Sequence, residues 1–426
     1  MAEIQPFRGI RYNPEVVGDL SAVTSPPYDV LTPEECEALR QHSPYNVIRL
    51  ILGPSGDDEG NPQPYLEAGR LWRTWQEQGV LIADERPCLY LIQQEFHWDG
   101  RAHKRRGLVC LVKLHDYADG VILPHERTFP KHKRDRYRLM EATRANLDSV
   151  FGLYDEERHS ISDLLAEGCR SGPVAASRNG DERNTVWRVE DAALINELTD
   201  ALAHEPIVIA DGHHRYETAL AYRVDQFMKT GVRSVALDYV MMTLSSVRDP
   251  GVLALPTHRV VSAPAGMPLP PIITEPCAAL VSSLAFCYHV DECASASHLL
   301  EALREAAEQQ QRAFGVYLGP RSCLLVRTRS SAPTDPAEDM DVLREDILDR
   351  LPDLLGYPSL DVSYTQSAAA AVAKVDAGAA VAALLVNPVP VADVFRTALR
   401  GKRMPEKSTY FYPKLRSGLV MRSLDL

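Results

Sequence analysis

A chain of 426 residues is too long for one ordinary core and predicts two domains, or one large domain with insertions. Its composition, 45% hydrophobic and 24% charged, is that of a globular protein. The formal net charge of -12 argues against a general nucleic-acid binder, which needs a basic face, and against attachment to an anionic membrane surface.

The first residues, MAEIQPFRGIRYN, lack the apolar segment of a signal peptide. A Pro-rich turn follows at Ser25-Pro-Pro-Tyr-Asp-Val30, and Thr32 opens a helix with Pro33, Glu34 and Glu35 in its first turn. Asn46 to Leu52 reads as a strand and residues 53–64 as a Gly/Pro loop. Leu66, Leu71, Trp72 and Trp75 share a helix that ends near Gly79. Strands are expected at Cys88 to Phe96 and Gly107 to Leu114, joined by the basic stretch Asp99 to Arg106. Leu123-Pro-His-Glu-Arg-Thr128 leads into the charged segment Lys131 to Arg138 and a helix. Phe151 to Tyr154 reads as a short strand, Ser171 to Thr185 as a polar loop and Val186 to Val189 as a strand. Asp191 to His204 reads as a helix. After a strand near Asp238 to Leu244 and a turn at Asp249-Pro-Gly251, a stretch with five prolines spans 263–276. Beyond it helices are expected at Ser295 to Gln311, Met340 to Leu355, Ala368 to Lys374 and Val391 to Leu399. Strands are expected at Phe314 to Leu318, Cys323 to Arg327 and Ala380 to Val386.

The densest polar signal is Ile207 to Leu220, IVIADGHHRYETAL. A β-branched run stops at Ala210, five polar or glycine residues follow, and then Tyr216, Ala219, Leu220, Val224, Phe227 and Met228 fall on one helical face. A helix start offers backbone N–H groups and positive potential, so Asp211, Gly212, His213, His214 and Arg215 form a candidate anion corner. The competing reading makes Gly212 a turn residue and Asp211 a cap. Three other clusters carry charge. Glu126 and Arg127 precede the basic run Lys131 to Arg138, which reads either as a funnel for anions or as a solvated ion-paired face. His258 and Arg259 close an apolar segment. Met404 to Lys414 sets lysines and hydroxyls beside aromatics, as phosphate binding and packing of a nucleobase or a lid require, or forms a C-terminal strand sealing the sheet.

No pair of the eight cysteines has CxxC spacing, so reduced thiols and a cytoplasmic location are the simplest expectation. No HExxH, Walker A or GxGxxG sequence occurs. A resident transition metal is not expected. A transient Mg2+ bridging phosphates would need only a carboxylate such as Asp211.

The motifs Ser25–Val30, Pro44-Tyr-Asn-Val-Ile-Arg49, Leu123–Thr128, Ile209–Ala219, Leu255-Pro-Thr-His-Arg259 and Lys407-Ser-Thr-Tyr-Phe-Tyr-Pro-Lys414 resemble the signatures of domain-of-unknown-function family 1015. The Asp-Gly-His-His-Arg run is also similar to the phosphate motif of the ParB/sulfiredoxin superfamily, which includes a nucleotide-dependent kinase of free serine. That resemblance implies a mixed α/β fold with a ParB/sulfiredoxin-like N-terminal part and a second α/β domain. It also implies that Gly212, His213, His214 and Arg215 hold nucleotide phosphates.

The expected organisation is an N-terminal domain 1–262, a Pro-rich linker 263–276 and a C-terminal domain 277–426 whose last segment returns to the site. The leading expectation is a phosphotransfer enzyme using ATP or ADP with Mg2+ on a small hydroxyl metabolite, serine foremost. Glu126 or Asp29 would take the hydroxyl proton. Arg127, His258, Arg259 and Lys407 would join the phosphate binders. One rival is a phosphatase acting on phosphoserine through His213 or His214; another is a nucleotide-sensing ParB-like protein. The partner is a small anionic metabolite or nucleotide, with no membrane and no nucleic acid; the oligomeric state stays open.

Overall fold

The computed structural model describes residues 1–52, 61–128, 130–156, 161–264, 266–267, 278–329 and 336–425, the side chains of 130–132, 279 and 336 excepted. The fold is mixed α/β and divides into two compact units. The first comprises Met1–Pro124, Thr128–Leu253 and Pro413–Leu426; the second comprises His125–Arg127 and Ala254–Tyr412. The division therefore falls at Leu253 rather than at residue 262. The proline-rich stretch lies for the most part outside the described residues.

The first unit is built on a nine-stranded sheet. Its strands are β1 (Ile4–Gln5), β2 (Leu89–Trp98), β3 (Arg101–Lys113), β4 (Ile122–Pro124), β5 (Val150–Tyr154), β6 (Ala175–Asn179), β7 (Glu182–Val189), β8 (Ile207–Asp211) and β9 (Tyr239–Ser246). The order is β4-β8-β5-β9-β3-β2-β7-β6, with β1 beside β3. β8 runs parallel to β4 and β5 parallel to β9, and the other pairs are antiparallel. The hairpin β2–β3 turns at Asp99-Gly100, so the basic residues expected in a turn are paired strand.

Helices of this unit include α1 (Pro33–His42), α2 (Ile48–Ile51), α3 (Gln63–Glu77), α4 (Pro130–Thr143), α5 (Ile161–Gly168), α6 (Ala192–Ala203) and α7 (His213–Thr230). Thr32 and Glu35 close a reciprocal cap on α1: Thr32 Oγ1 accepts from the Glu35 amide at 3.2 Å and Glu35 Oε2 from the Thr32 amide at 2.8 Å. Asn46 to Leu52 forms a helical turn, not a strand. Asn46 Oδ1 accepts from the Ile48 amide at 3.0 Å, and Val47, Ile48, Leu50 and Ile51 are all buried. A run buried on every side has no period that separates strand from helix. The polar stretch Ser171 to Thr185 contains the β6–β7 hairpin, because an edge strand tolerates polar residues. On α7, Tyr216 and Ala219 enter the core, while Val224, Phe227 and Met228 are exposed.

Gly69 lets α3 pass close to α4. A Cβ there would overlap the carbonyl oxygen of Ala142, an atom fixed in the α4 backbone. Gly69→Ala is therefore expected to cost about 1–3 kcal/mol. Urea denaturation checks this; a change within about 0.5 kcal/mol would show that the helices can separate freely.

The second unit carries a six-stranded sheet: β10 (His258–Ser262), β11 (Tyr288–Cys293), β12 (Ala313–Gly319), β13 (Ser322–Thr328), β14 (Asp361–Thr365) and β15 (Ala382–Leu385), ordered β11-β13-β12-β15-β10-β14. Every pair is antiparallel. α8 (Ala278–Ala285), α9 (Ala296–Glu308), α10 (Ala368–Asp376) and α11 (Val391–Leu399) accompany it, with a further helical stretch over 336–355. No described helix is long and apolar enough to cross a membrane.

Candidate functional site

The corner after β8 is shaped by two backbone irregularities. Against β5, Val208 faces Leu153 and Ile209 faces Gly152, but Asp211 faces Phe151, so Ala210 is an extra residue in the ladder. A bulge of this kind turns the following side chain away from its regular direction. Gly212 then adopts φ 89° and ψ 26°, a left-handed conformation, and starts the 18-residue α7 without a side-chain cap. A Cβ on Gly212 would lie 2.9–3.0 Å from the Arg215 guanidinium. The guanidinium is thus folded against bare backbone.

Arg215 Nη2 donates to Asp211 Oδ2 at 2.7 Å, and Nη1 donates to the Ser149 carbonyl. Lys414 Nζ takes the other Asp211 oxygen. Burial pushes the Asp211 carboxyl up, but Lys414 and Arg215 outweigh it and hold it well below the usual carboxylate range. Burial likewise works against the Arg215 charge, which Asp211, then Asp148 and Asp29, sustain. Two cations thus share the Asp211 carboxylate.

Lys414 is placed by its neighbours. Arg105, buried and stacked 4.8 Å above the Phe151 ring, donates to the Pro413 carbonyl at 2.6 Å; Gln94 Nε2 donates to the Lys414 carbonyl at 3.3 Å. Burial lowers the Arg105 pKa to about 10, which leaves it charged at neutral pH. A fourth cation, Arg136 on α4, lies 3.8 Å over the Tyr28 ring and donates to the Ile51 carbonyl at 3.1 Å.

Arg215 and Asp148 border two hollows within the first unit. One also touches Gln94, Asn184, Thr243 and Arg416; the other touches Arg136, Asn146 and Thr218. Asp148 Oδ1 is buried and has no hydrogen-bond partner among the described residues.

The structure brings together only some of the residues singled out in the sequence. Asp211, Gly212, His213, His214 and Arg215 form the corner, with His213 buried. The exposed Asp29 acts on Arg215 through its charge. Glu126, Arg127, His258, Arg259 and Lys407 belong to the second unit. There Glu126 Oε1 accepts from the Thr409 amide at 3.0 Å and from Thr409 Oγ1 at 2.9 Å, and Arg127 pairs with Asp341 at 3.5 Å. His258 Nδ1 accepts from the Val386 amide at 3.2 Å. Burial, with Arg259 beside it, lowers the His258 pKa to about 4, so it is neutral at neutral pH and brings no charge to a phosphate. Arg259 donates to the Thr257 carbonyl at 2.5 Å, and Lys407 is exposed with φ 58°.

The basic run is partly ion-paired and partly buried in its described part, with Arg134 exposed. Lys133 pairs with Glu217, Arg136 is buried and Arg138 lies by the Tyr65 ring; the side chains of Lys131 and His132 lie outside the described residues. Lys414 is one of the lysines of the Met404–Lys414 segment expected to bind phosphate; Asp148 and Arg416 carry no local signature in the sequence. Among the described residues no three His, Cys, Asp or Glu side chains gather as a metal cluster. Both Asp211 oxygens are held by cations, so the corner does not suit Mg2+.

The model of the family described as "Protein of unknown function (DUF1015)" matches residues 4–351, and the chain belongs to that family. No curated protein matches the sequence. Among solved structures, a conserved hypothetical protein from Pyrococcus furiosus is similar at 13% identity and TM-score 0.38, over 72% of this chain and 94% of that one. A free serine kinase in complex with AMP is similar at 11% identity and TM-score 0.37, over 68% and 83%. SbnI from Staphylococcus aureus, truncated at its C-terminus, is similar at 9% identity and TM-score 0.31, over 72% and 84%. Likenesses this distant carry no argument about activity.

Proposed function

We propose that this family member is a phosphotransfer enzyme that uses a nucleoside di- or triphosphate and a small hydroxyl metabolite, with the corner at Gly212 as its phosphate site. One observation carries the reading: the Arg215 guanidinium lies against bare glycine backbone at the start of a long helix and also borders two hollows. Helix start, planar cationic fork and nearby ammonium are the groups that phosphate oxygens need.

In this reading an incoming phosphate competes with Asp211 for Arg215 and Lys414. Asp211 holds both cations in place beforehand, so little reorganisation remains when charge develops on the transferred group. Asp29, whose charge already acts on Arg215, is the proton acceptor for the attacking hydroxyl within the first unit. Glu126 is engaged with Thr409 and is the weaker choice. No step is assigned to a protein-bound metal.

The test is incubation with serine and ATP or ADP, following the phosphorylated product. Protein-dependent transfer is expected. Release of phosphate from phosphoserine without nucleotide would replace the reading by a phosphatase. If neither reaction occurs and ADP gives no thermal stabilisation, the reading fails.

A further inference from the structure

The outer face of α7 presents large apolar side chains to solvent. Val224, Phe227 and Met228 stand at i, i+3 and i+4, and Val232 and Val235 follow the helix end. All five are at least 50% exposed. The opposite face enters the core through Tyr216, Thr218, Ala219 and Tyr222. Gly231 ends the helix in a left-handed conformation, with open space where a Cβ would stand. The turn Val235–Asp238 packs against α7, sending Leu237 inward and leaving Val235 outside. Exposed apolar residues scattered singly are ordinary, but a group of them on one helix face and its end marks an association surface.

The charged rim of this face selects the partner. Asp225 and Lys229 lie one turn apart on the same flank, two residues to either side of Phe227. Asp225 is exposed, lies beside the Tyr137 hydroxyl and forms no ion pair among the described residues. Lys229 meets Glu141 of α4 at 3.0 Å, in a pair about half exposed on both sides and therefore screened by water. Opposite charges on one flank are the complement of the same helix running the other way. A two-fold axis through Phe227 sets Asp225 against Lys229 of the partner subunit, and Lys229 against the partner's Asp225. It brings the two Phe227 rings together at the centre. A two-fold contact requires a patch that complements itself, and an apolar centre edged by both signs does so. A partner of one charge sign would satisfy only one of the two residues.

We propose that the protein forms a homodimer in which two copies pack the C-terminal halves of α7 antiparallel about Phe227. The contact lies roughly 18 Å along the helix from Arg215, so it does not depend on the reaction assigned to the corner.

Sedimentation equilibrium of the full chain tests this. The expected species has twice the mass of one chain. Phe227→Glu should give a monomer with the circular dichroism of the parent, because a half-exposed position tolerates the charge. Asp225→Lys and Lys229→Glu should each weaken self-association at least tenfold, since each sets like charges across the axis. Mixing those two variants in equal amounts should restore dimers, because each then supplies the sign that the other lacks. A fault in folding could not produce that rescue. A chain that stays monomeric up to about 100 μM overturns the proposal, and flotation of that monomer with phosphatidylcholine vesicles would assign the face to a lipid surface instead. A Phe227→Glu protein that still dimerises, or a mixture no better associated than its components, overturns it as well.

Discussion

Arg215→Ala is expected to weaken ADP and inorganic phosphate binding about 100-fold, the loss of on the order of 3 kcal/mol that two charge-assisted hydrogen bonds supply. The fold should survive. Asp211 keeps its pairing with Lys414, and the Ser149 carbonyl loses one donor. Arg215→Lys should recover only part of the affinity, because an ammonium lacks the planar fork and cannot lie flat on the Gly212 backbone. Calorimetry with ADP, alongside a thermal melt to verify folding, checks both variants. A folded Arg215→Ala protein that binds ADP as tightly as the parent would place the anion elsewhere.

Asp211→Asn acts on stability. The parent carboxylate separates two cations that burial would otherwise leave facing each other, Arg215 and Lys414. Removing one partner from a buried ionic cluster costs about 3–5 kcal/mol. The pH dependence follows from the depressed carboxyl. A group whose folded pKa lies below its unfolded value, about 3.9 for aspartate, stabilises the fold above that value. It loses the contribution as pH falls through the folded one. The deficit of the Asn variant should therefore be full at neutral pH and shrink steadily below about pH 4. Adding Lys414→Met should recover part of it. Urea denaturation at neutral and acid pH measures the gap. A deficit under about 1 kcal/mol at neutral pH, unaltered in acid, would mean that the cluster is held by solvent rather than by Asp211.

How far these features can be read in advance depends on how local they are. The β8–α7 junction was legible because strand, glycine and helix signals are adjacent in the chain. The helix start at Thr32 was legible for the same reason. Asn46 to Leu52 was not, since total burial erases the period. Arg215 gains its Ser149 partner, and Asp211 its second cation Lys414, from distant segments, and nothing in the spacing of residues reports that. Asp148 is visible only through what it lacks in three dimensions. The second unit took in Glu126, Arg127, His258, Arg259 and Lys407, which short motifs had made look like one set with the corner.

The segment from Pro413 onward completes the first unit, delivering Lys414 and Arg416 to groups encoded hundreds of residues earlier. On the ribosome, that unit must wait for the second to be synthesised before its own last pieces emerge. A nascent or prematurely terminated chain would thus have an Asp211 with one cation instead of two and a hollow without its arginine. Removing the residues from Pro413 onward will therefore disturb an ionic cluster that the primary structure places near its middle.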